Sequence, residues 1–357
     1  MMGTRHRIAV WISFAIVWSV SAAAADDEGA ELIYRTYCTA CHGLAGNGKG
    51  LNVPALAVQP RDHTDSREMA TRSDQELFDA ITGGGPAVGK SVLMGQILEG
   101  IDADVIVTGL IGERAREVSD FIETKLTPRI AAKSVVVAVA ADHSPLLRLR
   151  AAMRATAIAE YFRSQGKKVL LLIDSLTRVA HAQREIGLAL GEPPTMKGYT
   201  PSSLALIPQL VERAGIDSRT GGSITAIYTV LADGGDLEDP IVDAARAIVD
   251  GHIILSRTLA ENGLFPAIDV ARSLSRIMPD IVDAEHMAAA AHFRQLWSTH
   301  EQNRDLLLMG AYTAGNDAVL DDAIAMHGDM LNYVGQPMHS SIGFDASRAA
   351  LLEGFGI

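Results

Sequence analysis

The chain is poor in cysteine, and its only two cysteines are Cys38 and Cys41. This C-x-x-C pair is compatible with a local disulfide, with a redox-active dithiol or with a longer motif. His42 follows directly and completes C-x-x-C-H, the attachment signature of c-type haem, which argues against the first two interpretations. In that chemistry two thioethers hold the porphyrin and the histidine imidazole ligates the iron. The sequence therefore predicts a haem c attached at Cys38 and Cys41, with His42 as iron ligand.

Positive charge is scarce relative to negative charge. Lys and Arg number 31 against 43 Asp and Glu, which gives a formal net charge of −12. No basic surface is expected, so nucleic acid is excluded as the expected partner. The composition is not that of a disordered chain, since 48% of the residues are hydrophobic and 21% are charged. A globular chain of 357 residues is long enough for two or three domains.

The beginning of the chain lacks an apolar run long enough for a comfortable bilayer span. Arginines at positions 5 and 7 precede a short apolar stretch over residues 8–20, and small residues fill positions 21–25. This order predicts a secretory signal over residues 1–25, with an uncleaved anchor helix as the alternative. In either case the following segment is expected outside the cytoplasm.

Residues 26–88 are predicted to form a small all-α segment that extends to about Met94. Its clearest local signal is Ser73 followed three positions later by Glu76, a capping box that starts a helix over residues 74–81. Three glycines end that helix.

At this point the front segment resembles the class I c-type cytochromes. The resemblance rests on "YRTYCTACHGLAGNGKG", "PRDHTD" and "MATRSDQELFDAITGGGPAVGKSVLM". It implies an electron carrier with redox partners, in which Met94 is the second axial iron ligand; the alternative for Met94 is a packed helix residue. The final helix that closes the haem crevice in this family has no counterpart after Met94.

The same glycine-rich stretch supports a second chemistry. Gly84, Gly89, Lys90 and Ser91 satisfy G-x-x-x-x-G-K-S, the loop whose backbone N–H groups cradle nucleotide phosphates. Pro86 removes one of those donors within the loop. The stretch therefore joins a haem-type segment to a nucleotide-type segment.

From Lys90 onward, short β-branched runs alternate with helical stretches such as residues 145–165. The runs cover residues 105–107, 135–139, 169–173, 224–230 and 252–255. This alternation predicts a parallel sheet sandwiched by helices. An Ala-rich region over residues 283–331 then predicts a separate helical cap.

Four residues of this segment, at three places in the chain, are candidates for phosphate chemistry. Lys90 is expected to contact the terminal phosphates and Ser91 to hold Mg²⁺. Asp174 ends an apolar strand, where an acid can orient the metal through water, and Glu113 follows another strand and could polarise the attacking water. The alternatives are a helix N-cap for Asp174 and a solvated first-turn charge for Glu113.

The wider sequence resembles the flagellar and type III secretion export ATPases, relatives of the rotary ATP synthase catalytic subunits. "DVIVTGLIGERAREVSDFIE", "LLLIDSLTRVAHAQREIGLALGEPPTMKGYTPSSLALIPQLVERAG", "GSITAIYTVL" and "DPIVDAARAIVDGHIILSRTLAENGLFPAIDVARSLSRIM" carry the resemblance, which covers residues 88–337. It implies a RecA-like α/β parallel-sheet ATPase core over residues 89–282 and a C-terminal helical domain over 283–357. The family's N-terminal β-barrel and the opening of its core have no counterpart here, so the core is expected to be truncated at its N-terminal side.

The resemblance also implies roles for individual residues. The nucleotide site would comprise Gly84, Gly89, Lys90, Ser91, Arg114, Asp174 and Phe265, the last stacking on adenine. Glu113 would be the catalytic carboxylate, acting with Lys90, and Arg276 would reach a neighbouring subunit's nucleotide. Such an arginine implies a ring of six copies that hydrolyses ATP with Mg²⁺ to unfold export substrates or release them from chaperones, together with export-apparatus proteins.

The two resemblances conflict in location, since haem is attached outside the cytoplasm whereas ATP and export substrates lie inside at the inner membrane. Three hypotheses follow: an export ATPase, an exported electron carrier, and a join of two gene fragments in which neither activity is intact.

Overall fold

The computed structural model describes residues 43–45, 47, 49, 64–65, 89–232, 237–337, 340 and 342–356. The chain divides into two units, Met1–Gly85 and Pro86–Ile357. The predicted signal over residues 1–25, the haem residues Cys38, Cys41 and His42, and Gly84 all lie outside the described residues. The architecture below is that of the second unit.

A five-stranded sheet forms the centre of this unit. Its strands are β1 (Val105–Ile111), β2 (Ser134–Val139), β3 (Lys168–Asp174), β4 (Gly215–Ile216) and β5 (Ser223–Tyr228). The strand order is β2-β1-β3-β5-β4. All neighbours are parallel except β4, which pairs antiparallel with β5. The predicted parallel α/β sheet is confirmed, and the run at 105–107 proves to be the beginning of a strand that continues to Ile111.

Seven α-helices accompany the sheet in the described part of the chain before residue 250. They are α1 (Lys90–Gly100), α2 (Ala115–Asp120), α3 (Pro128–Ala131), α4 (Pro145–Ser164), α5 (Leu176–Ala189), α6 (Pro201–Val211) and α7 (Pro240–Ile248). Side chains cap the starts of α4, α5 and α7. Ser144 caps α4 by accepting from the backbone N–H of Leu147, and Ser175 caps α5 in the same way. The predicted helix over 145–165 is confirmed almost to the residue.

Alternate residues of the central strands supply two separate apolar cores. On one face, Val107 and Leu171 pack with α4, α5 and α6. On the other, Ile106 and Leu170 pack with Met94 and Leu98 of α1. Strands buried on both faces read as continuous apolar runs, which is why β1 and β3 stand out in the sequence.

The fifth predicted strand, over residues 252–255, does not join this sheet. Only β6 (Gly251–His252) is extended and paired there, and it forms a separate antiparallel ribbon with β7 (Leu274–Ser275). Leu255 makes a single bridge to Ile268 instead. Two short helices, α8 (Arg257–Glu261) and α9 (Met278–Ile281), flank the ribbon. The prediction was wrong because a short apolar run does not reveal its pairing partner.

A helical region follows, as predicted. It contains α10 (Ala284–Gln302), α11 (Arg304–Leu308), α12 (Ala318–Ala325), α13 (His327–Val334) and α14 (Phe344–Phe355). Its core is aromatic, with the ring of Phe293 perpendicular to that of Phe355 at 4.8 Å between centroids. Within the described residues, no helix is long and apolar enough to cross a membrane.

Candidate functional site

The turn that starts α1 has the backbone geometry of an anion-binding site. Gly89 precedes the helix with φ of 81° and ψ of 16°, in the left-handed region that glycine adopts readily. The Gly89 carbonyl accepts the hydrogen bond of Leu93 N at 2.9 Å, so the helix begins at Lys90. The first N–H groups of a helix have no partner within it, and the helix dipole favours negative charge there. Lys90 and Ser91 stand at this end, as the phosphate motif predicts.

Lys90 is joined across the fold to the end of β3. Its Nζ atom lies 2.5 Å from Oδ1 of Asp174. The side chain of Asp174 is only 7% exposed, so the ion pair is largely withdrawn from water. The structure thus brings together two residues that the sequence predicted as phosphate and metal residues.

Thr229, at the end of the neighbouring strand, belongs to the same group and was missed in the sequence. Its Oγ1 donates to Oδ1 of Asp174 at 2.6 Å. The backbone N–H of Thr229 donates to Ile173 O at 3.0 Å, which continues the pairing of β5 with β3 past the last ladder residue. The signal was its position near the end of the predicted strand over residues 224–230, but that strand's neighbour in the sheet was not predictable from the sequence.

Glu113, two residues after β1, is buried rather than solvated. It is 6% exposed, and its Oε1 atom has no hydrogen-bond partner in the described structure. Burial raises the pKa of Glu113 to about 7; nearby Lys90 opposes this rise and the negative charge of Asp174 adds to it. The alternative of a solvated first-turn charge is therefore wrong. A carboxyl with a pKa near neutrality is suited to exchanging protons with a substrate water.

A small cavity of about 50 Å³ connects these groups. Ser91, Glu113 and Asp174 line it together with Glu117, a residue that the sequence did not single out. A cavity of this size holds water where several polar partners are present. The side chain of Arg114 lies at the same end of α2, with Nη1 3.7 Å from Oε1 of Glu117.

Two arginines also approach the end of β1, and sequence reasoning missed both. A Cβ atom on Gly112, whose φ is +74°, would lie 2.9 Å from Cβ of Arg178 and 3.4 Å from Cδ of Arg148. The Nε atoms of both arginines are buried without a hydrogen-bond partner, although Arg148 also forms an ion pair with Glu185 at 2.9 Å. Two arginine side chains therefore pass beside the turn that leads to Glu113.

Phe265, which the resemblance implies would stack on adenine, lies beside Gly89 at the turn that starts α1. A Cβ atom on Gly89 would stand 3.7 Å from Cδ1 of this ring, and Phe265 keeps 42% of its surface exposed. An exposed aromatic face at the edge of a phosphate site can stack on a flat ligand group.

Arg276 is not part of this group within the subunit. Its guanidinium donates to the backbone carbonyls of Arg246 at 3.1 Å and Ala247 at 3.2 Å, at the C-terminal end of α7. None of its described hydrogen bonds goes to Lys90 or Asp174. The side chain of Arg276 is exposed.

Met94 is a packed core residue of α1. It is 3% exposed and packs in the apolar cluster that joins α1 to the sheet. The packed interpretation of Met94 is thus the one that the structure supports, and the iron-ligand interpretation is not. Among the described residues, no group of three or more His, Cys, Asp or Glu side chains converges on a metal site.

The oxygen donors at the cavity nevertheless fit Mg²⁺ bound together with a phosphate ligand. Mg²⁺ uses hard oxygen donors and takes most of them from water and phosphates, with one or two from protein. The Ser91 hydroxyl and the Asp174 carboxylate border one cavity and supply this chemistry.

Comparison with known proteins agrees with this geometry. A family model described as "ATP synthase alpha/beta family, nucleotide-binding domain" matches residues 80–275, and one described as "T3SS EscN ATPase C-terminal domain" matches residues 282–353. A curated relative, the flagellum-specific ATP synthase of Pseudomonas aeruginosa, is 56% identical over 267 residues. This match covers 75% of the chain and 59% of the relative, so the chain spans about three fifths of the length of that protein.

Two solved structures from enteropathogenic E. coli are similar in fold. One is the assembled ATPase EscN of the type III secretion system, with a TM-score of 0.72 and 44% identity over 76% of this chain and 65% of that chain. The other is assembled EscN in complex with its central stalk EscO, with a TM-score of 0.70 and 44% identity over the same shares of the two chains.

Proposed function

The chain belongs to the ATP synthase alpha/beta family, and from this premise we propose that it is an ATPase of the protein-export type. The reaction is hydrolysis of ATP to ADP and phosphate, with Mg²⁺ as cofactor. One observation carries the proposal: Lys90, Asp174 and Glu113, from three separate elements, meet at the C-terminal edge of the parallel strands beside a helix N-terminus. That edge is where open α/β sheets bind their ligands.

Phosphate binding is assigned to the start of α1. The helix N-terminus and the Lys90 ammonium attract the terminal phosphates. In the described structure the ammonium is paired with Asp174, so the phosphates compete with this carboxylate for it. Gly84 would contribute to the preceding part of the loop, and Phe265 would cover the adenine. Ser91 would hold Mg²⁺ directly and Asp174 through water; the ion supplies positive charge beside the phosphate oxygens.

Water activation is assigned to Glu113. In its deprotonated form the carboxylate accepts a proton from a water in the adjoining cavity while that water attacks the terminal phosphorus. The bond from this phosphorus to the bridging oxygen breaks, and ADP leaves. Arg114, Arg148 and Arg178 add positive charge on this side of the site.

A ring of six copies would complete the site, with Arg276 of one subunit reaching the nucleotide of the next. In support, Arg276 is exposed, and none of its described hydrogen bonds goes to Lys90 or Asp174 of its own subunit. The similar EscN structure is that of an assembled ATPase. The test is complementation. Arg276→Ala and Glu113→Gln are each expected to be inactive, and a mixture of the two to regain activity as roughly a quarter of its sites become intact. No gain on mixing, with oligomers present, would contradict a shared site.

The work done by this hydrolysis would be the unfolding of export substrates or their release from chaperones, at the cytoplasmic face of the inner membrane. The similarity to a flagellum-specific ATP synthase and to EscN with its stalk EscO supports a place in such an apparatus. The partners would be further copies of the chain, a stalk-like protein and other apparatus components.

The direct test is calorimetry and steady-state turnover on the full chain. ATP is expected to bind and to be hydrolysed only with Mg²⁺, and Lys90→Ala is expected to abolish turnover. Lys167→Ala, an exposed lysine at the start of β3, is the matched control and should turn over normally. No nucleotide binding by the unmodified chain would end the proposal.

A second candidate function is favoured by the C-x-x-C-H motif alone. Haem c would be attached at Cys38 and Cys41 and ligated by His42, making the front segment an exported electron carrier with redox partners. Haem that survives acid–acetone extraction, after expression with haem-attachment machinery, would support it, whereas a colourless protein would contradict it. If neither haem nor turnover is found, the third hypothesis of two joined fragments without activity is the one that remains.

A further inference from the structure

An open cleft of about 440 Å³ lies between α7, the β6–β7 ribbon and α10. Three guanidinium groups line it: Arg246 from α7, Arg272 from the loop before β7, and Arg294 from α10. The cleft shares no lining residue with the cavity at Glu113. It is therefore separate from that cavity, and none of its lining residues has a role in the ATPase reaction proposed above, although Arg276 donates to the backbone carbonyl of Arg246.

The positive charge in this cleft is poorly compensated. Arg246 makes no described ion pair, and its Nε atom is buried without a hydrogen-bond partner. In the described structure Arg294 donates to the backbone carbonyls of Ser273 at 3.2 Å and Ala271 at 3.3 Å. Arg272 has the carboxylate of Asp269 at 3.7 Å. Among the described residues, this is the one carboxylate paired with any of the three arginines, so the cleft attracts an anion.

The size and lining of the cleft narrow the choice of anion. Guanidinium groups bind phosphate oxygens through two parallel N–H bonds, which makes arginine the usual residue for phosphate recognition. One phosphate would leave most of the volume empty, while small-molecule sites start at about 300 Å³. Ile254 and Leu274 add an apolar part to the lining. Three positive charges are balanced by two linked phosphates better than by one.

We propose that the cleft of Arg246, Arg272 and Arg294 binds a small ligand that carries a diphosphate group. The diphosphate lies among the three guanidinium groups, and any further part of the ligand lies against Ile254 and Leu274. Free pyrophosphate and the diphosphate of a nucleotide share this chemistry.

The test is calorimetric titration of the full chain carrying Lys90→Ala, without Mg²⁺, so that binding at the phosphate turn is suppressed. Pyrophosphate is expected to bind at least about tenfold more tightly than orthophosphate, because the second phosphate makes its own charge-assisted bonds. ADP distinguishes the sources. If ADP binds more tightly than pyrophosphate, the ligand of the cleft is a nucleotide. If ADP binds equally or more weakly, the ligand is free pyrophosphate.

Substitutions locate the site. Arg246→Gln and Arg272→Gln are each expected to weaken pyrophosphate binding by about tenfold or more. Arg272 is 67% exposed, so its replacement leaves the fold intact even if that of Arg246 does not. Arg219→Gln, an arginine 86% exposed and paired with Asp217, is the matched control and should bind normally. The proposal is overturned if pyrophosphate does not bind, if it binds no better than orthophosphate, or if Arg272→Gln leaves its affinity unchanged. Because Lys90 is already replaced, neither result depends on whether the chain hydrolyses ATP.

Discussion

Between the ring of Phe265 and Gly89 there is room for one methyl group, which on Gly89 would stand 3.7 Å from Cδ1 of the ring. That distance is ordinary contact, so space does not require glycine at this turn. The requirement comes from φ of +81°, which a residue with a side chain adopts only at a cost.

Gly89→Ala is therefore expected to destabilise the protein through backbone strain alone, by about 1–2 kcal/mol. Gly100→Ala is the matched control within α1, because a Cβ there meets no atom within 4 Å. In a helix, alanine is favoured over glycine by about 0.5–1 kcal/mol, so the control should be neutral or stabilised. Urea unfolding of the two variants measures the difference. Equal destabilisation by both would show that the left-handed turn is not the cause.

The activity is expected to rise with pH as Glu113 loses its proton. Burial raises the pKa of this carboxyl from 4.5 to about 7, and only the deprotonated form accepts a proton from water. The pH profile of kcat/KM should therefore bend near pH 7. Glu113→Gln should lower kcat by about two to four orders of magnitude and remove the bend. Glu117→Gln leaves Glu113 in place, so its pH profile should still bend. A profile without a bend in Glu117→Gln would show that Glu117, and not Glu113, is the group that titrates.

The free energy of unfolding should fall as the pH rises, whereas the activity should increase. Because the folded-state pKa of Glu113 is the higher one, the native state binds more protons than the unfolded state between pH 4.5 and about 7. Its contribution is present below pH 4.5 and is lost as the pH rises through about 7. The change amounts to about 3 kcal/mol at most, at 1.36 kcal/mol per pKa unit. Glu113→Gln should abolish this dependence, which urea unfolding at several pH values would measure.

Thr229→Val should destabilise the protein by about 1–2 kcal/mol, since it removes a hydroxyl that donates to the buried carboxylate of Asp174 at 2.6 Å. Thr225→Val is the matched control, because this threonine is exposed on the same strand and makes no described side-chain hydrogen bond. The control should change stability by less than about 0.5 kcal/mol. The same loss in both variants would assign the effect to strand packing instead.

The helical region should weaken in mild acid. The rings of His300 and His327 stack with 3.6 Å between centroids, and both Nδ1 atoms are buried without hydrogen-bond partners. Burial lowers the pKa of His300 from 6.5; the charges of His327 and Arg304 act in the same direction, and Glu301 opposes them. The native state therefore binds fewer protons, and stability is lost as the pH falls below 6.5.

Urea unfolding followed through the fluorescence of Trp297, which is buried in the same helical region, would measure this loss between pH 7.5 and 5. His300→Gln should reduce the pH dependence. His143→Gln, which replaces a histidine on the surface beside Asp142, should leave it unchanged. A pH dependence that survives His300→Gln would rule out the stacked pair as its source.

The sequence was most informative where one strand or one helix determines the outcome. Asp174 was correctly placed at the end of a strand because β3 is buried on both faces and reads as an apolar run. The helix over 145–164 was predictable from its own periodicity and from Ser144 with Pro145 at its start. The raised pKa of Glu113 was not predictable locally, since it depends on burial in the fold and on the charges of Lys90 and Asp174, which are distant in sequence.

Contacts between strands were beyond local patterns. The role of Thr229 depends on β5 lying next to β3, which follows from the sheet order and not from composition. The run at 252–255 has the apolar character of a strand, but its neighbour is β7 of the small ribbon rather than the large sheet. Met94 fits an iron ligand and a core residue equally well by type, and only the packing of α1 on the sheet distinguishes them.

The carboxylate of Asp174 receives both of its described hydrogen bonds, from Lys90 and from Thr229, on the same oxygen. Oδ2 takes part in neither. One oxygen therefore anchors the side chain, and in the proposed site the other would be available to a hydrated cation. If phosphate draws Lys90 away as proposed, Thr229 would still hold the anchored oxygen, so the carboxylate would keep its orientation when its partner changes.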